Sequence, residues 1–168
     1  MNNNIVLIGM PGSGKSTVGV VLAKMLGMNF VDVDLIIQQR EGALLQTILD
    51  QKGTEAFLEI EADAVCSLDC ADSVIAPGGS AVLLDRGGEH LKQLGTVVYL
   101  NIPVEALAAR LSNLDNRGVP MKPGQTIADL YRCRQPFYEK YADITVDTAG
   151  KSLEDTCSAV LKALIQRT

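Results

Sequence analysis

The chain is expected to fold as an α/β protein, a three-layer α/β/α sandwich around a five-stranded parallel sheet, and three observations lead there. Short apolar runs rich in Ile and Val alternate with longer amphipathic segments along the whole chain. The first three runs end in Gly or Asp, the residues that turn a strand into a loop or helix cap. A length of 168 residues suits one core, so residues 1–168 are expected to form a single domain.

"NIVLIG" (4–9) is the first strand, a continuous apolar run of the kind buried on both faces of a parallel sheet. "KSTVGVVLAKMLG" turns helical, with Val18, Val21, Leu22 and Met25 at three- and four-residue spacings and Gly27 as the stop. "NFVDVD" (29–34) is the second strand. A mixed helical stretch punctuated by Gly42 and Gly53 leads to a helix over 54–68, opened by Thr54 in a capping position. "SVIAPGG" (73–79) is the third strand and "TVVYLNI" (96–102) the fourth, separated by a polar helix around "GGEHLKQLG". A helix after Pro103 breaks at the polar loop "DNRGVPMKPGQT" (115–126). Helix resumes in "IADLYRCRQPFYEKYA", "DITVDT" (143–148) is the fifth strand, and "SLEDTCSAVLKALIQR" closes the chain. Ligands of such sheets bind beyond the carboxyl ends of the strands. Gly9, Asp34, Gly78 and Gly79 all fall at predicted strand ends and are expected along one edge.

Apolar residues make up 47% and charged residues 21%, an ordinary globular composition. The net charge of −5 and the lack of a Lys/Arg run argue against a nucleic-acid partner. No apolar stretch approaches the ~20 residues that span a bilayer, and the N-terminus has no secretory pattern, so a cytoplasmic protein is expected. Cys66, Cys70, Cys133 and Cys157 are too scattered for a zinc pattern; Cys66 and Cys70 would share one face of a helix and, with no second pair to complete a site, read as small core or surface residues. His90, the only histidine, reads as a solvated helix residue.

The motif with the most specific chemistry is "GMPGSGKST" (9–17). It matches G-x-x-x-x-G-K-[ST] and lies between a predicted strand and a helix, the context such a phosphate loop requires. Gly12, Ser13, Gly14, Lys15, Ser16 and Thr17 would bind the nucleotide. Backbone N–H groups would wrap the anion, Lys15 would reach the β- and γ-phosphates, and Ser16 would ligate Mg²⁺. The chain lacks the N-K-x-D motif by which a GTPase reads its base. A motor or transport ATPase would usually need a larger chain and an apolar strand ending in an acidic pair, and "VVYLNIP" ends without one. A small kinase remains. In "FVDVD", Asp32 and Asp34 would point to one side of a strand: Asp32 would hold a metal-bound water, and Asp34 would accept a hydrogen bond from a substrate hydroxyl as base or positioner. Helix capping is the alternative for both.

The loop "GMPGSGKST", the "DVD" pair, "GTEAFLEIE", "PGGS", "ARLSNLDNRG" and "RQPFYEKYAD" together resemble the shikimate kinase family over essentially the whole chain. The resemblance implies the P-loop kinase fold with strand order 2-3-1-4-5 and a mobile lid near 113–125. It implies transfer of the γ-phosphate of ATP, with Mg²⁺, to the 3-hydroxyl of shikimate in aromatic amino-acid biosynthesis, and a monomer. By matching positions, Asp34 would contact the substrate hydroxyls, Gly78 and Gly79 the substrate, and Arg134 its carboxylate. Arg110 would lie near the adenine, and Arg117 would act on the phosphates. Three positions depart from the family pattern: Phe-Arg becomes Phe57-Leu58, a triple glycine becomes Gly78-Gly79-Ser80, and the lid Arg-Pro becomes Arg117-Gly118. Glu61 would lack the family's arginine as a partner. The other readings the residues leave open are a kinase of another small hydroxylated metabolite and a nucleotide-binding protein without turnover.

Overall fold

The computed structural model describes residues 3–110 and 118–167. Five parallel strands run in the order β2-β3-β1-β4-β5. They are β1 (Asn4–Ile8), β2 (Asn29–Asp32), β3 (Ser73–Ala76), β4 (Gly95–Asn101) and β5 (Ile144–Asp147). Among the described residues the helices are α1 (Lys15–Leu26), α2 (Val33–Glu41), α3 (Leu45–Cys66), α4 (Asp85–Leu94), α5 (Val104–Arg110), α6 (Ile127–Tyr141) and α7 (Leu153–Arg167). The α/β class and strand order are those expected.

The pleat of β1 divides the core. Ile5 and Leu7 face α1 and α7, packing with Val18, Leu22, Cys157 and Val160. Val6 and Ile8 face the opposite layer, where Val33, Ile37, Phe57, Leu91 and Tyr138 gather. A strand with apolar side chains on both faces must be covered twice, which is why β1 is central and helices flank it on either side. Tyr99 of β4 stacks on Tyr138 of α6 with ring centroids 5.2 Å apart, fixing α6 to the sheet beside the strand ends.

Several boundaries differ from the sequence-based expectation. The second strand stops at Asp32, whose side chain caps α2 by accepting a 3.0 Å hydrogen bond from the Asp34 N–H. Asp32 and Asp34 therefore do not lie two apart on a strand; Asp34 sits in the first turn of a helix. The third strand ends at Ala76, so Gly78 and Gly79 belong to the loop beyond it. The helix expected to open at Thr54 begins at Leu45 and passes through a break at Gly53, where φ is +80° and ψ 171°. On α1 the buried face is Val18, Gly19, Leu22 and Ala23, whereas Met25 is exposed. Cys66 ends α3 while Cys70 lies beyond it, so they share no helix face. His90 is half-buried and its Nε2 lies 3.0 Å from the Leu68 carbonyl. No helix among the described residues is long and apolar enough to cross a membrane.

Candidate active site

The carboxyl ends of β1, β2 and β3 open onto one cavity of about 390 Å³. Its donor side is the β1–α1 loop. Gly14, with φ +94°, turns the chain into α1. The first turn of α1 then carries Ser16 and Thr17, both exposed and lining the cavity. Exposed backbone donors at a helix N-terminus form a ready anion site.

Lys15 is 8% exposed. Its Nζ donates to the carbonyls of Gly9 and Met10, both at 2.9 Å. An ammonium group has three N–H donors, so one remains for a phosphate oxygen. Burial lowers the Lys15 pKa to about 8, opposed by the negative charge of Asp34 and by those of Glu61 and Asp32. Arg110 lies against the same loop, its Nη1 donating to the Gly12 carbonyl at 3.3 Å. Arg117 and the first part of the expected lid lie outside the described residues.

The acceptor side is built by α2, α3, α6 and the loop after β3. Asp34 lines the cavity from α2, and burial together with the neighbouring Asp32 raises its pKa to about 6. Arg134 comes from α6 and is 2% exposed. Its Nη2 donates to the Pro120 carbonyl at 3.1 Å. Its Nε and Nη1 are buried without a hydrogen-bond partner among the described residues. A guanidinium left with unused donors beside a cavity is suited to a planar anion such as a carboxylate.

Gly78 and Gly79 let these groups converge. A Cβ on Gly79 would stand 2.8 Å from Pro11 Cδ and 3.1 Å from Arg134 Nη1, and one on Gly78 would run into Glu61 Oε1. Backbone without side chains is what fits between the phosphate loop, Arg134 and Glu61. Tyr138, one helical turn beyond Arg134, donates its hydroxyl to the Gly79 carbonyl at 2.5 Å and so fixes this loop.

The sequence-predicted residues Gly12, Gly14, Lys15, Ser16, Thr17, Asp34, Gly78, Gly79 and Arg134 all line the one cavity. Ser13 is buried in the loop with an unpartnered hydroxyl. Asp32 does not line the cavity; its carboxylate is engaged in capping α2. Two contributors, Gln46 and Tyr138, were not foreseen from the sequence, while Glu61 and Ser80 were noted there only for a missing arginine partner and a departure from the family's triple glycine. Glu61, 2% exposed, accepts a hydrogen bond from the Ser80 hydroxyl, and burial raises its pKa to about 7 against the effect of that bond. Ser80 thus supplies the partner that Glu61 was expected to lack. Gln46 and Tyr138 act through backbone contacts. The Arg134/Tyr138 spacing of four was the one available signal, since it puts both on one face of α6.

A phosphate-binding loop feeding a cavity that holds a buried carboxylate and a buried, under-bonded guanidinium defines a P-loop kinase of a small anionic acceptor. Comparison with known proteins narrows the class. The shikimate kinase family model matches residues 11–165. Shikimate kinase from Pseudomonas aeruginosa (strain LESB58) is 43% identical over 148 residues, covering 86% of this chain and 86% of that protein. Shikimate kinase from Moorella thermoacetica is 39% identical over 168 residues, covering 98% and 95%. The solved structure of shikimate kinase from Acinetobacter baumannii in complex with shikimate superimposes with a TM-score of 0.90 at 33% identity, covering all of this chain and 96% of that one. The chain belongs to the shikimate kinase family.

Proposed function

We infer that this protein transfers the γ-phosphoryl group of ATP to the 3-hydroxyl of shikimate, a step of aromatic amino-acid biosynthesis. The observation that carries the reading is Arg134: a buried guanidinium whose Nε and Nη1 have no partner among the described residues, in the same cavity as Lys15 and Asp34. Shikimate offers both a carboxylate for the first and a hydroxyl for the last.

The residues divide the work. The loop N–H groups and the third Lys15 donor hold the β- and γ-phosphates and offset the negative charge that spreads over the transferring group. Arg134 takes the carboxylate and so sets which ring hydroxyl faces the phosphate. Asp34 accepts the hydroxyl hydrogen. As the hydroxyl oxygen bonds to the γ-phosphorus and the bond to the β–γ bridging oxygen breaks, the proton passes to the Asp34 carboxylate and ADP leaves. A base near 6 is ionised at neutral pH yet close enough to that pH to take a proton.

A magnesium ion fits the donor set in part. Among the described residues no three His, Cys, Asp or Glu side chains cluster as a metal cage. Mg²⁺ is characteristically bound through one or two protein oxygens with phosphates and water completing its shell. The exposed Ser16 hydroxyl is the oxygen at the phosphate loop that would hold it, with Asp32 reaching it only through water. Bound there, the ion neutralises phosphate charge.

The test is a coupled ADP-release assay with shikimate beside gluconate, homoserine, threonine and nucleosides. ADP release that depends on shikimate, with phosphorus NMR placing the phosphate on the 3-oxygen, is the expected result. Turnover of another acceptor with none of shikimate would overturn the reading.

A further inference from the structure

The acceptor cavity is roofed by Gly118, Val119 and Pro120, and the fastening of that strap identifies a residue no motif singled out. The Gly118 N–H donates to Gln46 Oε1 at 3.1 Å, across 72 positions of sequence. The Gln46 amide is itself oriented, because its Nε2 donates to Asp50 Oδ1 at 2.8 Å one turn further along α3. Its oxygen therefore faces the strap. Gly118 has φ +61°, and a Cβ there would stand 2.5 Å from Leu45 Cβ and 3.0 Å from the Leu45 carbonyl carbon. The backbone thus lies directly on the start of α3 in a conformation that favours glycine. Two residues on, the Pro120 carbonyl accepts from Arg134 Nη2 at 3.1 Å.

These contacts form one chain: Asp50 to Gln46, Gln46 to the Gly118 N–H, the strap to the Pro120 carbonyl, and that carbonyl to Arg134. We propose that Gln46 is a positioning residue for the acceptor, which holds the Gly118–Pro120 strap and, through the Pro120 carbonyl, fixes the Arg134 guanidinium at the cavity wall. The planar guanidinium has a fixed fork of donors, so anchoring Nη2 sets where the other two point. Gln46 touches neither substrate nor phosphate; its effect is on the geometry of the anion site. The idea rests on the acceptor reading above only in taking the acceptor to carry an anionic group.

The experiment compares Gln46→Ala with Gln46→Glu. A carboxylate at 46 still accepts from the Gly118 N–H, but it cannot donate to Asp50 as the amide does, so Gln46→Glu is made throughout together with Asp50→Asn, whose amide replaces the like charge with a donor, and that pair is the rescuing variant. Residue-resolved hydrogen exchange reads the fastening itself and needs no substrate: the Gly118 amide should exchange faster in Gln46→Ala and at close to the wild-type rate in Gln46→Glu. Steady-state kinetics read the consequence. The KM for shikimate should rise about 3- to 10-fold in Gln46→Ala, the range for one neutral hydrogen bond, with KM for ATP unchanged and the rise absent in Gln46→Glu. In an Arg134→Met background the Gln46→Ala effect on KM should vanish, because the guanidinium it fixes is gone. An unchanged Gly118 exchange rate in Gln46→Ala, an equal rise in KM for both substrates, or a rise that persists without Arg134 would each overturn the proposal. Failure of the wild-type protein to phosphorylate shikimate would instead count against the acceptor assignment, and the exchange comparison would still decide the role of Gln46.

Discussion

Asp34→Asn should make this protein more stable and nearly inactive, and both effects follow from one feature of the site. Burial, reinforced by the charge of Asp32, moves the Asp34 carboxyl from its ordinary 3.8 to about 6. At roughly 1.4 kcal/mol per decade, keeping this group ionised costs the folded state about 3 kcal/mol at neutral pH. The sign is set by proton counting. Between about pH 4 and pH 6 the unfolded chain has lost this proton and the folded chain retains it, so stability falls as pH rises through that window and is level above it. Asparagine removes the fall. Part of the gain is returned, because the Asp34 carboxylate is the main group keeping the buried Lys15 charged. A net gain of about 1 to 2 kcal/mol corresponds to a rise in Tm of about 3 to 6 °C for a chain of this size. The assay is calorimetry of both proteins, without nucleotide, at about pH 5 and about pH 7.5, beside ADP release at saturating ATP. The Tm advantage of Asp34→Asn should be larger at the higher pH, while kcat should drop by about 10²- to 10⁴-fold, the usual contribution of a positioned base. Wild-type kcat/KM should likewise rise with pH through about 6 as Asp34 ionises. A lower Tm for Asp34→Asn near neutral pH, or an advantage independent of pH, would refute the reasoning, since Asp34 would then be held by its pairing with Lys15 more than it is strained by burial.

Arg134→Met should raise the KM for shikimate about 10- to 100-fold, the loss of a charged hydrogen bond, and leave KM for ATP within two-fold or so; a matching loss for ATP would show that Arg134 serves the donor side. Leu58→Arg adds a donor beside Phe57 and Glu61, and KM for shikimate should fall by up to about ten-fold; an unchanged KM would mean that the carboxylate does not approach this turn of α3. Ser80→Ala strips the buried Glu61 carboxylate of its hydroxyl donor and should lower stability by about 1 to 3 kcal/mol, more above pH 7 than below, because Glu61 titrates near 7; equal Tm values by calorimetry at both pH values would show that the bond contributes nothing.

The donor side was legible in the sequence because its parts are contiguous. Nine residues, from Gly9 to Thr17, carry a phosphate loop, a helix N-terminus and a lysine in fixed order, and the structure brings them together as read. The strand order and layering were legible for a related reason: β1 is apolar on both faces, which demands cover on both. The acceptor side was only partly legible. Asp34 was singled out from the FVDVD spacing as well as by family resemblance, although the strand geometry argued for it was wrong, since Asp32 ends β2 by capping α2; Arg134 was found through the resemblance alone. Met25 fits the helical spacing of α1 yet is exposed; the buried stripe instead includes Gly19, where Phe30 of β2 packs so closely that a Cβ would stand 2.5 Å from its ring. Gln46 could not be read at all: its role rests on a hydrogen bond to a backbone amide 72 residues away, and a lone glutamine near a helix start has no periodicity or motif to mark it.

The three departures from the family pattern meet on one element. Leu58 is on α3; Ser80 donates to Glu61 of α3; Gly118 donates its N–H to Gln46 of α3. Replacing arginine by leucine at 58 takes a cation away from the neighbourhood of a buried carboxylate, which ordinarily leaves that carboxylate at several kcal/mol of disadvantage. Serine at 80 restores a donor to Glu61 where glycine could not. Glycine at 118 offers an N–H to the other end of the same helix, which a proline lacks. Among the described residues lining the cavity, Lys15 and Arg134 are the cations, and Arg134 is the one that comes from the acceptor side. A site that relies on one guanidinium gains most from holding that guanidinium still, and the strap fastened by Gln46 does so through the Pro120 carbonyl. The departures thus belong together: the acceptor side exchanges a second charge for hydrogen bonds that tie α3 to the β3 loop and to the strap, while the phosphate loop is left unchanged.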